Sequence, residues 1–192
     1  HPGHYTKEAA PAVEASGKAQ RFLELIEAAQ RQEEKVLVFT QFREMGDILA
    51  RWIGEHLGRT PGFLHGGVAR KQRDALVADF QSNPANRALI LSLKAGGTGL
   101  NLTAASQVIH YDLWWNPAVE DQATDRAYRI GQTRGVQVHR LVTRHTFEER
   151  INAMIRSKRG LAGMTVASGE QWIGQLGDDE LRELFAPGDG AT

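Results

Sequence analysis

An α/β domain, with a mostly parallel sheet covered by helices on both faces, is predicted by three features of this 192-residue sequence. Short apolar runs are bounded by polar residues. Segments with apolar residues at three- and four-residue spacing lie between them. The two kinds alternate along most of the chain, the pattern of buried strands joined by crossover helices. In such sheets, ligands gather at the carboxyl ends of the strands.

Taken in order, residues 1–17 are punctuated by Ala, Pro and Gly without a sustained period and read as a lead-in from an upstream region. Because the first residue is His1 rather than Met, the chain is expected to be a fragment of a longer parent. Phe22, Leu25, Ile26 and Ala29 recur at helical spacing from Lys18 onward, so this segment is predicted to be an amphipathic helix with one buried face. The run Val36 to Phe39 predicts a buried strand. Further on the spacing predicts a helix from Glu44 to Leu57, a strand near Gly62 to Leu64, a helix from Lys71 to Phe80 and a strand from Ala88 to Leu91. A strand from Val108 to Tyr111, a helix from Ala118 to Tyr128 and a strand from Val136 to Val142 follow. Thr146 with Glu149 three residues later then opens a helix in the capping-box pattern. After Gly160 the pattern loosens, and residues 161–192 read as a brace and tail with a short acidic helix from Asp178 to Phe185.

Composition excludes several classes. Without cysteine, neither a disulfide framework nor a thiolate zinc site is possible. His65, His110 and His139 have no metal-ligand spacing and read as ordinary structural or surface histidines, so no metal site is expected in this chain. No apolar run approaches the roughly 18 residues of a membrane span, and the start has no signal pattern, so a soluble, cytoplasmic protein is expected. The 23 basic and 23 acidic residues cancel. Their distribution is uneven: nine Lys/Arg between Arg126 and Arg159 face only Glu148 and Glu149, and six acids from Glu170 onward face only Arg182. Such asymmetry fits either two solvated faces or a surface for anions.

Three segments carry candidate chemistry. In QATDRAYRIGQ, Gln122 to Gln132, helical spacing places Gln122, Arg126 and Arg129 on one face. Two guanidiniums held together call for an anion, although surface pairing with Asp121 and Asp125 is the alternative. In LSLKAGGTGLNL, Leu91 to Leu102, the glycines follow a buried strand and either open main-chain N–H groups to a phosphate or make a tight turn. No GxxxxGK[ST] loop occurs anywhere in the chain. In YDLWWNP, Tyr111 to Pro117, one Trp suits the core and the other a base or sugar edge.

Together with VLVFTQF, Val36 to Phe42, and HGGVARKQRDALVADF, His65 to Phe80, these segments resemble the Swi/Snf family of superfamily-two helicase-like ATPases. Their order is that of the family's C-terminal RecA-like lobe, over roughly residues 18–160, and the tail is similar to those of bacterial members. The resemblance implies an ATP-dependent translocase on double-stranded DNA, with ATP and Mg²⁺ between two lobes. The N-terminal RecA-like lobe, absent from this sequence, would supply the Walker A loop and magnesium ligands. This lobe would supply Arg126 and Arg129 as arginine fingers, supported by Gln122 and Gly97 at the nucleotide. Lys94, Gly97, Thr98, Gly99, Trp115 and Gln41 would meet the DNA, while Trp114 departs from the family's more usual small or polar residue. The resemblance also implies phosphate-dominated, sequence-tolerant DNA binding and no ATPase activity in the fragment alone. A non-hydrolysing nucleic-acid or protein-binding module and an RNA-directed helicase lobe are the other readings. RIGQ in place of a GR-rich motif leans toward DNA.

Overall fold

The computed structural model describes residues 12–92, 100–114, 117–127 and 134–153. The elements are α1 (Gly17–Arg31), β1 (Lys35–Thr40), α2 (Arg43–Leu57), β2 (Gly62–Leu64), α3 (Arg70–Ser82), β3 (Ala88–Ser92), β4 (Ala105–His110), α4 (Pro117–Thr124) and β5 (Gln137–Arg140). All described strand pairs are parallel, in the order β2-β3-β1-β4-β5. Successive strands β3 and β4 lie on opposite sides of β1, so the topology switches direction at the carboxyl end of the central strand.

β1 is central because it is apolar on both faces. Val36 and Val38 pack with α1 and α2, against Phe22, Ile26, Leu49 and Ile53. Leu37 and Phe39 point to the opposite layer, with Phe80, Leu102, Ala123 and Ala127. A strand covered on both sides needs continuous rather than alternating apolar character, and VLVF has it.

Local chemistry sets the element ends. A 3₁₀ turn at Val13–Ala15 precedes Ser16, whose hydroxyl accepts from the Ala19 N–H at 3.3 Å and caps α1. The prediction placed this helix start correctly but missed its cap. α2 ends at Gly58 with φ +69°, the left-handed turn that glycine adopts without penalty. At the carboxyl end of α3, the Lys35 ammonium donates to the Phe80 and Asn83 carbonyls, satisfying groups that the helix leaves open.

One predicted element differs. The helix expected from Ala118 to Tyr128 stops at Thr124, and residues 125–127 form a turn. Arg126 N–H donates to Ala123 O and Ala127 N–H to Thr124 O, three residues back rather than four. The last turn is tightened at residues 125–127, and Arg129 lies outside the described residues.

The chain divides into two compact units, one ending at Asp112 and resuming from Gln122 to Leu141, the other made of Leu113–Asp121 and the residues from Val142 on. In the second, residues 147–153 are helical. The Thr146 hydroxyl accepts from Glu148 N–H at 3.3 Å, while Glu149 reaches back to His145 N–H at 2.8 Å, a capping box displaced by one residue. The acidic helix predicted from Asp178 to Phe185 lies outside the described residues. Among the described residues no helix is long and apolar enough to cross a membrane.

Candidate nucleotide and DNA site

Two places in the first unit bring sequence-predicted residues into defined geometry. At the switch point, the Asp112 carboxylate accepts from the Thr40 hydroxyl and, at 3.2 Å, from the Gln41 backbone N–H. This clamp ties the carboxyl end of β1 to the loop after β4 and fixes the backbone of Gln41, which is half-buried. Phe42 beside it is 48% exposed. The sequence reading named Gln41 but not Asp112, whose partners lie more than 70 residues away along the chain.

The second place is the turn after α4. Gln122 is exposed on the helix, whereas Arg126 is buried, 6% exposed. The Arg126 carbonyl accepts from Leu102 N–H at 3.1 Å. This bond joins the arginine-bearing segment to the far end of the glycine-rich segment, whose last residue, Leu102, is itself fully buried.

His110, the last residue of β4, underlies this turn. Its ring stacks on Phe39 with centroids 5.2 Å apart, and its Nε2 is 3.0 Å from the Thr124 hydroxyl. Burial first, then the Arg140 charge, pushes its pKa down to about 4, so the ring is neutral at pH 7. The remaining candidates, Lys94, Gly97, Thr98, Gly99, Trp115 and Arg129, lie outside the described residues. In the second unit, Trp114 is half-buried, and its backbone N–H donates to the buried Glu120 carboxylate at 2.7 Å. Among the described residues no group of three His, Cys, Asp or Glu side chains is placed to hold a metal ion.

A profile of the helicase conserved C-terminal domain matches residues 17–131. The solved Sulfolobus solfataricus SWI2/SNF2 ATPase C-terminal domain is 39% identical and superimposes with a TM-score of 0.78, covering 97% of this chain and 75% of that one. The chain belongs to the helicase C-terminal domain family, in its SWI2/SNF2 branch. The SWI2/SNF2 ATPase core of the same organism, solved in complex with double-stranded DNA, is 43% identical, with a TM-score of 0.83 over 97% of this chain and 39% of that one. YwqA of Bacillus subtilis strain 168 is 50% identical over 187 residues, 96% of this chain and 20% of YwqA. The chain spans only 17–20% of the length of YwqA and of two Mycoplasma ATP-dependent helicases that it resembles. The five-stranded parallel sheet is that of a RecA-like SWI2/SNF2 C-terminal lobe, the fold expected from the sequence.

Proposed function

We propose that this chain is the second motor lobe of an ATP-dependent translocase on double-stranded DNA, acting in the cytoplasm. In this reading it contributes Arg126 and Arg129 to an ATP site completed by an N-terminal RecA-like lobe. Gln122 and Gly97 support the nucleotide, while Mg²⁺ is held by the other lobe. Lys94, Gly97, Thr98, Gly99, Gln41 and Trp115 follow the DNA, mainly through its phosphates. The hydrogen bond from Leu102 N–H to the Arg126 carbonyl supports this reading best. It joins the backbone at Arg126 to Leu102, the residue that closes the glycine-rich segment.

The chemistry suits the residues. Charge spreads over the equatorial oxygens of the transferred phosphoryl group, and a planar, permanently charged guanidinium stabilises it in two directions at once. An arginine finger contributes roughly 10³ to 10⁵ in rate where one has been measured. Arg126 would act from a preorganised position, since its backbone is bonded on both sides.

The test is the two-lobed parent carrying Arg129→Ala or Arg126→Ala. Each variant should bind ATP but hydrolyse it about 10³-fold more slowly. Unchanged turnover in both would end the finger assignment. Competition of duplex DNA against single-stranded RNA for stimulation separates the DNA translocase from an RNA-directed lobe. A parent that binds DNA but never hydrolyses ATP would be a binding module.

A further inference from the structure

Thr124 stands where α4 ends and the turn carrying Arg126 begins, and its two polar groups face different partners. Its hydroxyl meets His110 Nε2 at 3.0 Å, and its carbonyl accepts from Ala127 N–H at 3.0 Å, closing the turn around Arg126. His110 is an unyielding anchor: it is 1% exposed, ends a fully buried strand, and is stacked on Phe39 of the central strand. A hydrogen bond between side chains 14 residues apart therefore ties the turn to the rigid sheet. On the other side, Leu102 N–H holds the Arg126 carbonyl.

We infer that His110 and Thr124 are positioning residues for ATP hydrolysis, fixing the turn so that Arg126 leaves it in one direction. The inference rests on the proposed role of Arg126. Neither residue touches the nucleotide; both act through the backbone of residues 124–127. The physical basis is that a catalytic group displaced by about 1 Å costs on the order of 10² in rate, whereas ground-state binding of ATP hardly depends on it. Burial, with the Arg140 charge acting in the same direction, keeps the imidazole neutral, so the anchor brings no charge of its own beneath the turn.

The experiment uses the two-lobed parent stimulated by duplex DNA. Thr124→Val keeps the shape of the side chain and removes the hydroxyl. We expect kcat to fall about tenfold to a hundredfold with KM for ATP within about twofold of wild type. Thr124→Ser, which restores a hydroxyl, should recover most of that turnover. His110→Phe keeps the stack on Phe39 and should reproduce the kcat loss, giving a second route should Thr124→Val fold poorly. Added to Arg126→Ala, Thr124→Val should cost nothing further in the residual activity. Wild-type turnover in well-folded Thr124→Val and His110→Phe overturns the inference, as does a full additional loss in the Arg126→Ala background. If Arg126→Ala itself turns over normally, the finger reading fails instead, so the two failures are distinguishable.

Discussion

Burial of His110 has a consequence for stability that its place in the sequence does not advertise. The ring is neutral in the folded protein down to about pH 4, whereas in the unfolded chain it takes a proton near pH 6.5. Between these values the unfolded state binds more protons than the folded one, so stability rises with pH. The contribution is fully present above pH 6.5 and is lost as pH falls toward 4. The difference of about 2.5 pH units corresponds to a contribution on the order of 3 kcal/mol. His139 is shifted the same way, by burial and then by the Arg21 charge, and adds to the slope. Denaturant titrations of His110→Phe between pH 4 and 7 should show a flatter dependence than wild type; an unchanged slope would mean that His110 does not carry it. The sequence marked His110 only as an ordinary histidine, because its partners Phe39 and Thr124 belong to other elements and no local spacing links them.

Among the elements, the strands and long helices were legible because their apolar residues follow strict periods and tertiary packing reinforces the same choice. α1, α2, α3 and the five strands begin within about three residues of expectation, as is usual for boundaries read from periodicity. The end of α4 was not legible. Asp125, Arg126 and Ala127 satisfy the helical pattern, but Leu102 takes the Arg126 carbonyl and His110 engages Thr124, so tertiary partners outweigh propensity. Packing between elements is equally specific at Gly46 on α2. A Cβ built there would lie 2.1 Å from the tip of the Phe63 ring on β2, so the helix and strand approach only because the side chain is absent. Gly46→Ala should destabilise the lobe by about 1 to 3 kcal/mol, through overpacking that outweighs the helix propensity of alanine. Thermal or chemical denaturation checks this, and an unchanged or raised stability would show that Phe63 moves aside at no cost.

For the whole molecule, the sequence motifs were more informative than composition. A net charge of zero says nothing about a nucleic-acid partner, whereas five segments in fixed order identified the lobe. No GxxxxGK[ST] loop occurs in the sequence, consistent with the proposed division of labour in which another lobe would hold the phosphates of ATP. The central claim is that the chain carries half of an ATPase site. It is tested most directly by phosphate release from ATP, with Mg²⁺ and duplex DNA present, for the purified 192-residue chain beside its two-lobed parent. The account predicts DNA-stimulated hydrolysis by the parent and none above background by the chain alone. Sustained hydrolysis by the chain alone would contradict it.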